Sequence, residues 1–315
     1  MRFLLVVFGI LSFGAAAQQY PAKPVRIVVG YPPGGSGDFT TRIIADELQK
    51  NLGGSVIVEN KPGAGGNLAS AEVARAPADG YTLLNAWHHS INLVLYKNPG
   101  YAHKDFIPIT KIATGPTIVV VNNDLPVKSL TDLVAYAKAN PSKLFVASAG
   151  FGSTPNISAT LFSAAAGVPL TQVQFKGGGP AMQSVLAGDT HVAFSTAPTV
   201  MGMIRAGRLR ALAVSMKKGS PSVPGIPGTE EAGVPNYEST FWFGLYAPAG
   251  TPRPIVMRIH EAAVKGLARP EVREKIAVQG MDATPNASPE SFDAEIRAEG
   301  PVLERLLRES GAKVE

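Results

Sequence analysis

Along the first part of the chain, short β-branched apolar runs alternate with glycine-rich breaks, and each break is followed by apolar positions at helical spacing. Val25 to Val29 is the first run, long enough for a strand buried on both faces and too short for a helix. Pro32-Pro33-Gly34-Gly35-Ser36-Gly37 permits neither element. From Phe39 the apolar positions Phe39, Ile43, Ile44 and Leu48 follow a helical period, with Asp38 where an N-cap belongs. The spacing predicts strand, glycine turn, helix. The same unit recurs in Val56 to Glu59, the turn Asn60 to Asn67, and a helix from Leu68 to Ala76 stopped by Pro77. Ala78-Asp79-Gly80-Tyr81 then turns into a third strand, Thr82 to Asn85, and Ala86 to Asn92 reads as a loop.

The pattern starts again further on. Ile118 to Val121 leads through the polar stretch Asn122-Asn123-Asp124, and Ser129-Leu130-Thr131-Asp132 opens a helix to Ala139. Strands are expected at Leu144 to Ala147 and Val173 to Phe175, each followed by a glycine turn and a helix, Asn156 to Ala166 and Ala181 to Ala187. His191 to Ser195 and Leu209 to Val214 flank a helix from Pro198 to Ala206, and Lys217 to Pro235 shows no apolar period. Phe241 to Tyr246 brings the chain back as a strand. Helices follow at Pro252 to Leu267, Pro270 to Val278 and Pro289 to Glu309. Chain crossings near residues 118 to 124 and 240 to 248 divide it into one α/β unit of residues 18–120 plus 245–315 and another of 121–244.

In parallel sheets such turns open on the carboxyl edge of the strands, where ligands bind. Main-chain N–H groups of Gly34, Gly35, Ser36 and Gly37 come close to a helix N-terminus, a setting that favours an anion, although glycines that merely tighten the turn give the same pattern. The spacing is neither G-x-G-x-x-G nor a P-loop. Two such turns in each half suggest two lobes facing across a cleft, able to hold a small anion with main-chain donors alone. Trp87, His88 and His89 follow the third strand; a loop presenting Trp87 and one histidine to a ligand and a tryptophan packed beneath the loop are both open readings. His88-His89 lacks the spacing of a metal site. Ser36 and Ser153 do not sit in G-x-S-x-G, and no H-E-x-x-H is present, so neither a hydrolase nor a metal centre is expected.

The N-terminus adds an address. Arg2 precedes an uncharged run from Phe3 to Phe13 and then Gly14-Ala15-Ala16-Ala17, a signal-peptide pattern over residues 1–17 with cleavage expected after Ala17. There is no cysteine, which excludes disulfides and a lipidated cysteine. Removing Arg2 leaves a mature chain of formal charge +4, from +5 for the whole. The positive residues are scattered, so the high sequence pI indicates no nucleic-acid surface.

Several ordered motifs together carry a resemblance: Tyr20-Pro21-Ala22-Lys23-Pro24, Pro33-Gly34-Gly35-Ser36-Gly37-Asp38 with Arg42, Val58-Glu59-Asn60-Lys61-Pro62-Gly63-Ala64-Gly65-Gly66, Asp79-Gly80-Tyr81, Phe175-Lys176-Gly177-Gly178-Gly179-Pro180 and Glu231-Ala232-Gly233-Val234-Pro235. Over essentially the whole mature chain the sequence resembles the Bug family, the TctC-like periplasmic solute-binding proteins of tripartite tricarboxylate transporters. The resemblance implies an α/β, two-lobed, type II-like Venus flytrap with two interdomain crossing strands, closing on a carboxylated small molecule. It implies that the first glycine turn and the S-x-G-x-G-S turn, here Ser148 to Ser153, grip carboxylate, and that Trp87 and His88, just before the family-like His89-Ser90-Ile91-Asn92, help to select the ligand's far end. Asn156 stands where a histidine is common in the family, and Thr190 to Ser195 lacks an acidic residue that many members carry.

The expected ligand-binding residues are therefore Tyr31, Gly34, Gly35, Ser36 and Asp38; Trp87, His88 and His89; Ser148, Gly150, Gly152, Ser153 and Asn156; and Lys176 and Gly177. Asp38 has a second reading as a helix cap, and Lys176 as a solvated edge residue. The expected protein is a periplasmic monomer without cofactor or catalytic activity. It captures an organic acid, a mono- or dicarboxylate that includes aromatic candidates, and hands it to the transporter's membrane subunits. The alternative is the same fold serving a signalling partner.

Overall fold

A computed structural model of the chain describes residues 20–309 except 88 and 142. The expected signal peptide and expected cleavage after Ala17 lie outside the described residues, as does His88. The first strands follow the expected order: β1 (Val25–Val29), α1 (Ser36–Leu52), β2 (Val56–Asn60), α2 (Asn67–Ala74) and β3 (Thr82–Ala86). Next come α3 (His89–Leu95), where a loop was expected, and β4 (Phe106–Asn122), a strand far longer than the run from Ile118 predicts. The second half continues as α4 (Leu130–Ala139), β5 (Phe145–Ser148), α5 (Thr154–Ala166), β6 (Thr171–Gln174), α6 (Gly178–Ala187), β7 (Val192–Thr196), α7 (Ala197–Arg205) and β8 (Leu209–Val214). The chain closes with β9 (Thr240–Pro248), α8 (Arg253–Leu267), α9 (Pro270–Val278), the short β10 (Asp282–Ala283) and α10 (Pro289–Glu309).

Strands run in the order β2-β1-β3-β9-β4-β7-β5-β6, with β8 and β10 also paired to β4. β1 is parallel to β2 and β3, and β5 is parallel to β6 and β7. Between these two parallel blocks, β4 is antiparallel to β9 along its first stretch and to β7 and β8 along its last. A single strand thus belongs to both blocks.

Side chains alternate between layers as the strand period requires. On β9, Phe241, Phe243 and Leu245 enter one core while Trp242 and Tyr246 enter another on the opposite face. In the second block Val119, Val121, Val192 and Phe194 face one layer, and Ile118, Val120 and Ala193 the other. Each lobe is therefore a sheet covered on both faces. Along β4 the side chains change lobe between Ala113 and Ile118, and on the returning chain between Tyr237 and Phe241. Both changes fall a few residues before the expected boundaries, because pairing with β9 keeps the chain in the first lobe only as far as Pro116.

Hydroxyl groups fill the crossing itself. Thr117 Oγ1 lies 2.6 Å from Ser158 Oγ and donates to Ser215 Oγ at 2.9 Å, and Ser158 Oγ lies 2.5 Å from Tyr237 OH. Thr117 N–H donates to Ser215 Oγ at 2.8 Å, and Ser215 Oγ donates to Ser239 O. All five residues are buried, and burial pushes the Tyr237 phenol up to about 12, so it keeps its proton. Thr117→Val keeps the shape but strips the cluster of its shared hydroxyl. We expect a loss of about 1–3 kcal/mol in denaturant unfolding; an unchanged midpoint would show that the remaining hydroxyls re-pair without it.

Candidate functional site

The first glycine turn bends the chain from β1 into α1, and the helix begins earlier than Phe39. Gly35 is its N-cap and Ser36, Gly37 and Asp38 form its first turn, so Asp38 is not the N-cap. Its carboxylate instead folds back over the turn. It accepts from Gly34 N–H at 3.0 Å, from Arg42 Nε at 3.0 Å and Nη2 at 2.9 Å, and from Asn60 Nδ2 at 3.0 Å. Burial pushes the carboxyl up, but these donors outweigh burial and hold it below the ordinary carboxylate range. Asp38 and the Gly34 N–H are thus engaged with each other and are absent from the cleft wall.

The second lobe brings three more helix starts to the same place. Ser153 caps α5, its Oγ accepting from Asn156 N–H and donating to Gly150 O at 2.6 Å. Gly177 caps α6 and Thr196 caps α7. With α1 from the first lobe, the N-termini of helices of 17, 13, 10 and 9 residues converge on one chamber of about 580 Å³, open mouth included. Gly35, Ser36, Ser153, Gly177, Ser195 and Thr196 are on its wall, and among the described residues no charged side chain is. Four sets of helix-end N–H groups face a space that offers no counter-cation, an arrangement that stabilises a compact anion through main-chain donors and dipoles.

A second, wider chamber adjoins the first and shares Tyr31, Pro32, Ala149 and Gly177 with it. Gly150 and Lys176 lie on this outer wall. The lobes pinch between the chambers, where a Cβ on Gly177 would stand 2.7 Å from Pro32 Cγ. They also meet where Tyr96 OH donates to Phe151 O at 3.0 Å and where Asn92 faces Gly152. Burial pushes the Tyr31 phenol far up, so it stays a donor; it reaches Gly65 O at 3.4 Å.

Of the expected residues, Tyr31, Gly35, Ser36, Gly150, Ser153, Lys176 and Gly177 come together on the walls. Trp87 is not on either wall: it is buried, packed with Ile91, Leu95 and, from α5, Ile157, as the packing reading has it, and it borders a small pocket behind Tyr31 and Gly65. Ser148 is fully buried at the end of β5, and its Oγ has no partner among the described residues. Gly152 donates its N–H to Asn156 Oδ1 at 3.0 Å, and Asn156 Nδ2 donates to Gln172 Oε1 at 2.8 Å, so both serve the turn rather than the wall. His89 starts α3. Thr196 and Thr199, whose hydroxyls are 3.0 Å apart, were missed because the β7–α7 turn contains no glycine. Phe151, Phe175 and Tyr96 on the outer wall were missed as well.

Residues 40–300 match the family model for the tripartite tricarboxylate transporter family receptor. The chain belongs to that family. BugT of Bordetella pertussis is 34% identical to this receptor over alignments covering 100% of this chain and 99% of that one. Among solved structures, R. palustris Rpa4515 with adipate superposes with a TM-score of 0.89 at 33% identity, covering 93% of this chain and 98% of that one. The periplasmic binding protein BugD also superposes with a TM-score of 0.89 at 33% identity, covering 94% and 100%. The receptor thus has the two-lobed α/β fold of periplasmic binding proteins and is a solute-binding protein rather than an enzyme. No helix among its described residues is long and apolar enough to cross a membrane.

Proposed function

We propose that this receptor captures a small carboxylated organic acid between its lobes and presents it, closed, to the membrane subunits of a tripartite tricarboxylate transporter. The observation that carries the reading is the uncharged inner chamber ringed by four helix N-termini, one from the first lobe and three from the second. A carboxylate there would take charge-assisted hydrogen bonds from both lobes, each contributing about 1.5–3 kcal/mol net. Ligand contacts to both lobes stabilise the closed arrangement over any open one, and that difference drives closure. Ser36, whose hydroxyl is engaged with no described residue, and the N–H groups of α1, α5, α6 and α7 are the gripping groups in this reading. The Bug-like adipate complex supports it by chemistry: the ligand in that relative is a carboxylate. On this reading the protein is exported by the signal peptide cleaved after Ala17.

Thermal unfolding of the mature protein against a panel of carboxylates and uncharged compounds tests the proposal. An acid at about a hundredfold over its dissociation constant adds roughly 2.7 kcal/mol of stability, an easily read shift that Ser36→Leu should abolish. A shift produced by uncharged compounds alone would overturn the carboxylate reading.

A further inference from the structure

The outer chamber carries the information about what lies beyond the carboxylate. It measures about 1,030 Å³ with its open mouth, and its walls include the rings of Tyr31, Tyr96, Phe151 and Phe175. All four are half-buried, neither packed fully into a core nor left in water. Tyr96 and Phe151 stand edge to face with centroids 5.5 Å apart. The Phe151 turn is seated firmly: its carbonyl oxygen takes the Tyr96 hydroxyl and lies 2.6 Å from where a Cβ on Gly65 would be. Tyr96 directly follows α3 of one lobe, and Phe151 and Phe175 follow β5 and β6 of the other, so the slot is complete only when the lobes meet.

The charges around it are one-sided. Among the described residues Lys176 is the only charged one on the wall of either chamber, and it is exposed and paired with no described residue. No described Asp or Glu lines either chamber to receive a ligand ammonium, and Asp38 points back into its own turn. An ammonium brought into this space would lose its water and gain only a neighbouring lysine, a cost of several kcal/mol. A flat apolar ring, by contrast, would meet other rings at the offset and edge-to-face geometries they prefer.

We propose that the receptor takes carboxylates whose body is an aromatic or similarly flat apolar ring and which carry no ammonium group, the ring lying between Tyr96, Phe151 and Phe175. This rests on the carboxylate reading above and adds the class of acid. Phe151 is the specificity-determining residue, since it packs its ring on Tyr96 of the facing lobe and lines the slot from the same turn that caps α5.

Calorimetric titration with three acids tests it: 3-phenylpropanoate, phenylalanine, which is the same skeleton with an ammonium, and succinate, which has no ring. Binding of 3-phenylpropanoate is expected to be at least about tenfold tighter than that of succinate and about a hundredfold tighter than that of phenylalanine. Phe151→Ala should bring the phenylpropanoate-to-succinate ratio close to one, and Phe175→Ala, on a different turn, should do the same by an independent route. Succinate binding as tightly as 3-phenylpropanoate, or phenylalanine matching it, overturns the ring-acid proposal and leaves the carboxylate reading standing. If none of the three acids binds, both fall.

Discussion

Gly177→Val is expected to cost the receptor at least about a hundredfold in ligand affinity, close to 2.7 kcal/mol. Gly177 has φ +113°, a conformation that side chains with a Cβ rarely adopt, and it is the N-cap of α6 at the inner chamber. A Cβ there would come 2.7 Å from Pro32 Cγ and 3.1 Å from Pro32 Cδ, on the opposite lobe. Proline is a rigid ring and cannot turn aside as a long side chain would. The valine therefore either holds the lobes apart or twists the α6 N-terminus away from the chamber, and both weaken the grip on an anion. Gly207→Ala separates strain from contact. Gly207 also has positive φ, +65°, yet a Cβ there would meet nothing within 4 Å. It should lose about 1 kcal/mol of stability while binding ligand normally. Titration of both variants decides the matter: wild-type affinity in Gly177→Val would show that the Pro32–Gly177 approach is no part of the ligand-holding state.

Much of the fold was legible because its strands are short, apolar and closely punctuated. Val25 to Val29, Leu209 to Val214 and Pro270 to Val278 fall where glycine, proline and apolar period placed them. The first stretch of β4 escaped notice for a physical reason. Pro108 argues against a strand interior, and pairing with β9 shifts register between Pro108 and Thr110 and again between Lys111 and Ala113, so the period-two alternation that identifies a strand is interrupted twice. α3 is only seven residues long, with no cap in the sequence to announce it. At the site, glycine turns pointed correctly to the walls, but they could not show which polar side chains look outward. Asp38 and Asn156 have the right chemistry for a ligand and spend it on Asn60 and Gln172, partners 22 and 16 positions away that only folding brings near. Trp87 was attractive for its size, and burial claimed it. The aromatic wall that replaces it is assembled from four separate segments, after β1, α3, β5 and β6, and leaves no local signature.

The same inward use of Asp38 predicts the largest stability effect among the cleft-forming residues. Asp38→Ala would leave Gly34 N–H without its acceptor, leave the Asn60 amide only its bond to Tyr31 O, and remove the ion pair to Arg42. Arg42 is more than half exposed, so its charge contributes little; the part-buried hydrogen bonds dominate, and the expected loss is about 1–3 kcal/mol. Asp38→Asn retains an acceptor oxygen for Gly34 and should lose less. Acid separates charge from shape. Because the folded-state pKa of Asp38 lies below its unfolded value, the unfolded chain binds the proton first, and the stabilisation from this residue is complete above the usual carboxylate range and fades as pH falls through the folded value. Melting temperature followed from pH 7 downward should therefore fall less steeply below about pH 4 in Asp38→Asn than in the wild type. The slope will not vanish, since Glu59 and Glu72 are also held low by Arg26 and Lys61. Parallel acid slopes for the two proteins would mean that Asp38 holds the turn by shape and hydrogen bonding alone, with no contribution from its charge.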